Sequence, residues 1–351
     1  MTDSKARQRV LSPDDLTPLD RAFQVIGVFN PGATRVVDET MLLARVAERP
    51  LPDQPGFVGL PRVGPSGAVT IDWEPEAAFD LSDPRVVRSK HDGVARLTSL
   101  SHLRVFRRGV GESEPWSAGS VFVPESPAEE YGVEDPRITT IDGIHWITYV
   151  AVSRHGAATA IASTSDFVRF ERHGIIFPPE NKDVVLFPRK IAGQYVALHR
   201  PTTKTDFCRP EVWIARSPDL LHWGGHEPLF QGISGWESDR TGAGAPPIEL
   251  DEGWLVIYHG CGSSERPGDV GAYCAGAVLL DRDDPTRVLR RSREPLLRPI
   301  ADFERSGFVP NVVFPTAVID RETGLTIYYG AADTAVGVVD TSRDAVLASL
   351  H

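Results

Sequence analysis

The residues best suited to chemistry lie in the stretch EEYGVEDPRIT (129–139). Asp135 stands directly before Pro136, which biases its backbone away from the right-handed helical region, toward an extended or turn conformation at a strand entrance. Glu134 and Arg137 flank it, so this carboxylate could be tuned as an acid or simply be ion-paired. From spacing alone, a surface turn with a structural Asp–Arg pair is the favoured interpretation.

A second group of functional residues is basic and dispersed along the chain. Arg200 and His259 each end a predicted strand, Arg240 precedes a glycine-rich turn, and Tyr273 adds a hydroxyl group. Arginine holds phosphate oxygens through two parallel hydrogen bonds, so these side chains together would form an oxyanion cage. Taken singly, each has an ordinary structural explanation. The glycine-rich turn is not a nucleotide-binding loop, because it lacks the GK[ST] ending and a following helix.

Three further residues could contact a sugar. Asn30 in VFNPGA (28–33) and Arg45 could read hydroxyl groups, and Asp333 in IYYGAADT (327–334) follows two small residues that leave room for a ligand. A structural turn aspartate is the default alternative for Asp333. No metal site is expected, because the chain lacks HExxH and EF-hand patterns and its ten histidines show no ligand spacing.

Composition limits the class of protein. Of the 351 residues, 41% are hydrophobic and 24% charged, which is enough to bury a core. The net charge of −11 repels nucleic acids and anionic membranes, so neither is an expected partner, and an anionic substrate would need its own basic cluster. Three cysteines without CxxC spacing and an N-terminus without an apolar segment predict a cytoplasmic protein.

The elements that must position these residues are predicted to be strands. Short apolar runs rich in β-branched and aromatic residues, bounded by Gly, Pro, Asp and Asn, recur to the C-terminus, as in HWITYVAV (145–152) and WLVIYHG (254–260). The exceptions are a helical turn expected at 38–48 and the first 24 residues. The chain is therefore predicted to be all-β.

An internal repeat sharpens this prediction. A strand followed by an Asp-containing turn recurs five times, with equivalent marks 58, 53, 62 and 60 residues apart; the marks are Arg104, Ala162, Ala215, Ala277 and Gly337. A single unit of this kind cannot bury its apolar face without a neighbouring unit. About five such copies predict a five-bladed β-propeller, and a large β-sandwich is the alternative. Residues 1–24 are expected to be an N-terminal extension packing on the propeller, and 25–351 a single catalytic domain.

The order of these segments resembles the inverting β-mannoside phosphorylases of glycoside hydrolase family 130. The resemblance runs from about residue 25 to the C-terminus, and YGVEDPRIT with the paired NKD and HRP segments is specific. The matching segments are VFNPGA (28–33), SHLRV (101–105), YGVEDPRIT (131–139), NKDVVLFP (181–188), LHRP (198–201), GAGAPPI (242–248), GWLVIYHG (253–260), GFVPNVVFP (307–315) and IYYGAADT (327–334).

The resemblance implies a five-bladed propeller in which Asp135 is the lone catalytic acid. It protonates the glycosidic oxygen through a hydroxyl of the mannose, while inorganic phosphate attacks the anomeric carbon from the opposite face to give α-mannose 1-phosphate. Phosphate is a co-substrate and no cofactor is expected. The implied phosphate site comprises Arg200, Arg240, His259, Tyr273 and Asn181. The implied mannose site comprises Asn30, Arg45, Arg104 and Asp333.

The chain departs from the family pattern at two positions of the phosphate site. Arg240 stands where a lysine is usual, and Cys274 where an arginine commonly follows the tyrosine. The alternative function is an inverting β-mannosidase of the same family, and a more remote one is a non-catalytic sugar-binding propeller. The sequence decides neither the acceptor sugar nor the linkage, β-1,4 or β-1,2, and a homo-oligomer is compatible with it.

Overall fold

Strands account for nearly all of the regular structure in the computed structural model, as the short apolar runs predict. The structure describes residues 7–109, 114–233, 235–264 and 270–351. The strands are β1 (Gln8–Leu11), β2 (Phe23–Val36), β3 (Glu39–Pro50), β4 (Phe57–Val63), β5 (Val69–Pro75), β6 (Phe79–Asp80), β7 (Val86–Ser89), β8 (Ala95–Leu97), β9 (Leu100–Arg108), β10 (Ser117–Phe122), β11 (Gly132–Ile141), β12 (Ile144–Ser153), β13 (Gly156–Thr164), β14 (Glu171–Phe177), β15 (Asn181–Leu186), β16 (Tyr195–Pro201), β17 (Val212–Ser217), β18 (Gly224–Phe230), β19 (Arg240–Ala243), β20 (Ile248–Leu250), β21 (Gly253–Cys261), β22 (Tyr273–Leu280), β23 (Val288–Arg291), β24 (Val313–Arg321), β25 (Gly324–Ala331) and β26 (Ala335–Thr341).

Helices in the described ranges are short. They are α1 (Asp302–Arg305), α2 (Arg343–Ala348) and the 3-10 turns Pro13–Asp15, Glu76–Ala78, Pro127–Glu129 and Gly235–Glu237. None of these helices is long and apolar enough to cross a membrane. The prediction of an all-β chain is confirmed, but the helical turn expected at 38–48 is wrong. Those residues lie in β3, which is held between β2 and β9 by antiparallel pairing.

The long strands of the described chain form five antiparallel units of four strands. Units 1 to 5 are β2–β3–β9–β10, β11–β12–β13–β14, β15–β16–β17–β18, β19–β21–β22–β23 and β24–β25–β26–β1. Units 1 and 2 join in one sheet through a single parallel pair, Ser101 and Gly132. The five marks of the sequence repeat lie on the third strand of each unit, so the period of about 60 residues corresponds to one unit.

Each unit buries its face against its neighbours, including unit 5 against unit 1. Five apolar clusters lie between units 1 and 2, 2 and 3, 3 and 4, 4 and 5, and 5 and 1. The contact between units 5 and 1 involves both ends of the sequence. The N-terminal strand β1 pairs with β26, and its Leu11 packs in the apolar cluster between these two units. A single unit would leave one apolar face in water, so stability depends on completing the series of interfaces.

Buried tyrosine–glutamate–arginine clusters reinforce three of the units. In each cluster, a glutamate on the short helix that precedes the unit accepts a hydrogen bond from a tyrosine of the second strand. The same glutamate forms an ion pair with an arginine that lies in the fourth strand or directly before it. The clusters are Tyr149–Glu129–Arg172, Tyr258–Glu237–Arg291 and Tyr329–Glu304–Arg7. The third cluster ties the residue before β1 to α1, so it secures the N-terminal strand.

An insertion of residues 51–99 separates β3 from β9 in unit 1. It consists of the hairpin β4–β5 and the small sheet β6–β7–β8, with a minor apolar cluster of Leu60, Phe79 and Val87. The insertion connects the end of β3 to the start of β9, which are the two inner strands of unit 1. It therefore projects from one end of these strands. Arg85 of this insertion reaches the cavity described next.

Candidate active site

A polar cavity of about 380 Å³ lies where the five units meet. Its wall includes Asn30 and Arg45 from unit 1, Asp135 from unit 2, Arg200 from unit 3, Arg240 and Tyr273 from unit 4, and Asp333 from unit 5. Seven of the ten residues predicted from the sequence therefore share one cavity. Phe29, Phe308 and Phe314 add aromatic surface to the same wall.

Interruptions of strand pairing aim three of the polar side chains into this cavity. Asn30, Asp135 and Asp183 lie in the first strands of units 1, 2 and 3, each at a shift in register and with φ of +48°, +47° and +56°. Asparagine and aspartate tolerate this left-handed conformation better than other non-glycine residues, and a bulge redirects a side chain. Asp135 avoids the right-handed helical region as predicted, but the position predicted for it at a strand entrance is wrong, because it occupies a bulge inside β11.

Asp135 is buried, with 7% of its surface exposed, and it receives two hydrogen bonds. Asn30 Nδ2 donates to its Oδ1 at 2.9 Å, and Arg45 Nη1 donates to the same oxygen at 3.2 Å. Burial alone would raise the pKa of Asp135, but the positive charges of Arg45 and Lys182 outweigh burial and lower it. The interpretation favoured from spacing alone, a surface turn with a structural Asp–Arg pair, is therefore wrong.

Arg137 has a different role from the one that its position beside Asp135 indicated. Its side chain is 1% exposed, and Nη1 donates to the carbonyl oxygen of Asp135 at 2.7 Å. Nε donates to the carbonyl of Gly244 in unit 4, and the guanidinium lies over the ring of Phe314 in unit 5. Arg137 thus connects three units beneath the cavity and fixes the backbone that carries Asp135.

Arg45 is shared between neighbouring acids. Its Nη2 pairs with Glu134 Oε1 at 2.7 Å, Nη1 contacts Asp135, and Nε donates to Ser101 Oγ at 3.0 Å. Lys182 Nζ approaches the other oxygen of Glu134 at 3.7 Å. Glu134 is therefore occupied by two cations, whereas one oxygen of Asp135 stays free of the described donors.

The buried carboxylate of Asp183 anchors the basic side of the cavity. Its Oδ2 lies 2.9 Å from Arg200 Nη1 and 3.3 Å from His259 Nε2, and its Oδ1 lies 3.8 Å from Arg137 Nη2. Burial would raise the pKa of Asp183, but Arg200, His259 and Arg137 hold it well below its ordinary value. Burial lowers the pKa of His259 to about 4, so its imidazole is neutral at pH 7.

Arg200 lines the cavity, and its guanidinium is not fully hydrogen-bonded. Only 5% of the residue is exposed, and its Nε has no hydrogen-bond partner in the described part of the chain. An unpaired buried guanidinium nitrogen is costly. Nη2 also has no hydrogen bond among the described residues, and because Arg200 lines the cavity its guanidinium can bind an anion there.

Arg240 and Tyr273 extend this basic side. Arg240 is paired with Asp239 through Nε at 2.8 Å and Nη2 at 2.6 Å, and Asp239 also accepts from Lys204 Nζ at 2.9 Å. Burial raises the pKa of Tyr273 to about 12, so its hydroxyl stays protonated and can donate to an anion.

Asp333 closes the opposite side of the cavity. It lies in the turn between β25 and β26 with φ of +49° and is partly buried. Burial raises the pKa of Asp333 to about 6; Arg45 opposes this shift, and the negative charge of Asp135 adds to it. Two carboxyl groups of one cavity thus have pKa values shifted in opposite directions.

Three predicted site residues do not line the cavity. His259 lies behind Arg200, fully buried. The Asn181 amide contacts His199 Nδ1 at 3.0 Å instead. Arg104 of β9 lies opposite Ala44 of β3, the residue before Arg45. Successive side chains of a strand point to opposite faces of the sheet, so Arg104 and Arg45 lie on opposite faces.

Sequence reasoning assigned no role to Lys182, Asp183 and Arg85, although all three line the cavity. Lys182 and Asp183 belong to the NKD segment, so the motif itself was the available signal. Arg85 ends the tripeptide Asp83-Pro84-Arg85, which repeats the DPR of 135–137. Among the residues that the structure describes, no group of three or more His, Cys, Asp or Glu side chains could hold a metal ion.

Comparisons with known proteins identify the family to which the chain belongs. A family model described as β-1,4-mannooligosaccharide phosphorylase matches residues 97–351. A β-1,2-mannobiose phosphorylase from Listeria innocua is 39% identical over 351 residues, covering 97% of this chain and 96% of that protein. The chain belongs to glycoside hydrolase family 130. The resemblance stated from the motifs is confirmed, and the protein is a β-mannoside phosphorylase.

Other family 130 relatives extend the comparison. A solved structure of the Listeria innocua β-1,2-mannobiose phosphorylase in complex with β-1,2-mannobiose has a TM-score of 0.90, with 38% identity and coverage of 97% of this chain and 96% of that one. A 1,2-β-oligomannan phosphorylase from Thermoanaerobacter sp. is 40% identical over 222 residues, covering 62% of this chain and 71% of that protein.

Proposed function

We propose that this family 130 enzyme catalyses the reversible, inverting phosphorolysis of β-1,2-linked mannosides to α-mannose 1-phosphate. The observation that carries the proposal is the division of one cavity into an acid side around Asp135 and a basic side around Arg200. The cavity that both sides line has a volume of about 380 Å³, enough for a sugar ring. Such an arrangement suits displacement at an anomeric carbon.

Asp135 is proposed to be the catalytic acid. A phosphate oxygen forms a bond to the anomeric carbon, and the glycosidic carbon–oxygen bond breaks with its electron pair on the leaving oxygen. That oxygen takes a proton from a mannose hydroxyl, which Asp135 reprotonates. In the free enzyme Arg45 and Lys182 favour ionised Asp135. A bound phosphate dianion adds negative charge to the cavity, which raises the pKa of Asp135 toward that of a proton donor.

The phosphate is proposed to bind Arg200, Arg240 and Tyr273. Asp183 holds the Arg200 guanidinium through Nη1 at 2.9 Å, and Nη2 has no hydrogen bond among the described residues. Neutral His259 behind it adds no charge of its own. The phosphate is already an anion, so the site needs to position it rather than to deprotonate it. The remaining predicted residues of the cavity wall, Asn30, Arg45 and Asp333, are proposed to contact the mannose.

The geometry favours phosphorolysis over hydrolysis. An inverting hydrolase needs a second carboxylate about 6.5–9.5 Å from the acid, free to deprotonate water. On the basic side of the described cavity the carboxylate is Asp183, and Arg200, His259 and Arg137 surround it and keep it ionised. A carboxylate with its pKa held that low is a poor base.

The β-1,2 linkage is proposed because the Listeria innocua β-1,2-mannobiose phosphorylase matches this chain over nearly its full length. The family model carries a β-1,4 description, so the linkage is the part of the proposal that most needs a direct test. Insertion residues 51–99 supply one cavity wall through Arg85, Val86 and Leu97, and that wall is suited to selecting the acceptor sugar.

The five units are proposed to be the blades of a five-bladed β-propeller. Support comes from their shared strand order, from the apolar cluster between each neighbouring pair and from the pairing of β1 with β26. Residues 25–351 would then be one catalytic domain, with the described part of the N-terminal extension supplying the last strand of unit 5. The cavity lies where such an arrangement has its axis.

The test is a reaction with β-1,2-mannobiose and, in parallel, β-1,4-mannobiose, each with and without inorganic phosphate. We expect α-mannose 1-phosphate, seen by phosphorus NMR, only with the β-1,2 substrate and phosphate. Release of free mannose at the same rate without phosphate would establish the hydrolase instead. Turnover of the β-1,4 substrate alone would overturn the linkage and leave the reaction type standing.

A further inference from the structure

A hollow of about 580 Å³ lies outside the catalytic cavity, between the insertion and the end of β3. We call it the hairpin hollow, because Phe57 and Trp73 of the hairpin β4–β5 form part of its wall. Leu81 and Pro84 of the same insertion also line it. Phe57 and Leu81 are 36% and 41% exposed, so apolar surface is available to a ligand there. The proposed reaction assigns this hollow no role.

Trp73 provides a fixed aromatic surface in the hairpin hollow. Its partner across the hairpin is Gly59, and a Cβ atom there would lie 2.9 Å from Cζ3 of the indole and 3.1 Å from Cβ of Pro50. The ring therefore packs on bare backbone. Trp73 is partly exposed, and its indole N–H forms no hydrogen bond within the described residues. An aromatic face beside a free donor suits the stacking of a sugar ring.

The polar side chains of the hairpin hollow favour a neutral ligand rich in hydroxyl groups. Asp53, Gln54 and Glu76 form no side-chain hydrogen bond or ion pair within the described residues, so their polar atoms are available. Arg49 contributes one positive charge to this wall, against the carboxylates of Asp53, Glu76 and Asp83. The excess of negative charge repels anions, whereas the hydroxyl groups of a sugar donate to carboxylates.

A second hollow, of about 660 Å³, lies between the hairpin hollow and the catalytic cavity. The wall of this linking hollow includes residues 82–85 and Phe308. Arg85 and Phe308 also line the catalytic cavity, and Asp83 and Pro84 also line the hairpin hollow. A chain of sugar residues that leaves the catalytic cavity past Arg85 therefore reaches the hairpin hollow after it crosses Pro84.

The segment that this chain would cross is held in place by the protein itself. The carbonyl oxygen of Pro84 accepts hydrogen bonds from Thr98 Oγ1 at 2.6 Å and from Arg49 Nη2 at 3.3 Å. Arg85 forms a two-point ion pair with Asp83, through Nε at 3.0 Å and Nη2 at 2.8 Å. The path is formed before a ligand binds, which lowers the entropic cost of binding.

We propose that the hairpin hollow is a distal carbohydrate site, which holds the leaving-group end of oligomannosides longer than a disaccharide, with Trp73 as its stacking surface. This rests on the proposed function, because the mannose that is cleaved off is taken to occupy the catalytic cavity. The remainder of a longer substrate then lies in the linking and hairpin hollows. In the reverse reaction the same site holds the acceptor.

The experiment measures kcat/KM at saturating phosphate for mannooligosaccharides of two to five residues, in the linkage that is cleaved as a disaccharide. A sugar ring that covers about 60 Å² of the indole should raise affinity roughly tenfold, so we expect wild-type kcat/KM to rise about tenfold over this series. Trp73→Ala should remove this gain through KM and leave the kinetics on mannobiose unchanged. Trp73→Phe, which keeps an aromatic face, should retain part of the gain.

Two further variants keep the test independent of folding. Gln54→Ala, in an exposed loop, should also reduce the gain without affecting mannobiose. Val94→Ala is the matched control, because this exposed residue belongs to the same insertion but does not line the hairpin hollow, and it should behave as the wild type.

Equal kcat/KM for all lengths in the wild type, or a Trp73→Ala variant that keeps the gain or loses as much on mannobiose, would overturn the proposal. If no mannooligosaccharide is cleaved, the proposed function fails, and calorimetric titration with β-1,2-mannobiose and β-1,2-mannotetraose decides the site. Tighter binding of the tetraose that Trp73→Ala abolishes would support the distal site alone. Equal binding of the two sugars by the wild type would refute it.

Discussion

Replacing Arg200 by lysine separates the binding of phosphate from the stability of the cavity. Arg200 contacts Asp183 through Nη1 and also lines the cavity, so one side chain serves both purposes. A lysine keeps the charge beside Asp183 but has a single ammonium group, which cannot reproduce the planar set of donors. The change therefore removes one charge-assisted hydrogen bond to the bound anion.

The expected loss is about 1.5–3 kcal/mol, the range for a hydrogen bond to a charged group, which corresponds to a roughly 10- to 150-fold weaker affinity for phosphate. The assay is calorimetric titration with inorganic phosphate, supported by initial rates at varied phosphate. The KM for the mannoside should change little, because Asn30 and Arg45 lie on the other side of the cavity. Arg189→Lys, at an exposed pair with Glu249, is the matched control.

Arg200→Ala should behave differently, since it leaves buried Asp183 without its nearest cation. Breaking a buried pair from one side costs about 3–5 kcal/mol, so this variant should lose stability as well as phosphate affinity. The reasoning would be refuted if Arg200→Lys melted normally and bound phosphate as the wild type does. The anion would then lie elsewhere in the cavity.

Two further predictions concern the acid and the closure of the chain. Asp135→Asn should lower turnover by about 10²–10⁴, and a near wild-type rate would remove Asp135 from the mechanism. Glu304→Gln should lower the free energy of unfolding by about 3–5 kcal/mol in a urea titration, because fully buried Glu304 pairs with Arg7. Glu294→Gln, at an exposed pair with Arg298, is its control; an equal effect of both would show that burial is not the cause.

The sequence by itself determined the strand content and the repeat. Alternation and turn residues are local signals, so the apolar runs and the period of about 60 residues identified strands and five units without knowledge of their packing. The EDPR, NKD and HRP segments identified the family and most of the cavity. The local prediction failed at 38–48, where pairing with two neighbouring strands outweighs helical spacing.

Only the tertiary structure decided which polar side chains meet. Asn181 belongs to the same motif as the cavity residues Lys182 and Asp183, yet it contacts His199. Arg104 lies on the opposite face of the sheet from Arg45. A shift of one residue at a bulge reverses the direction of a side chain, and such shifts are not visible in spacing. The opposite pKa shifts of Asp135 and Asp333, to which Arg45 contributes in both cases, depend on distances between residues far apart in the chain. Those distances arise only when all five units are packed together, and for that reason the protonation of the site is a property of the fold.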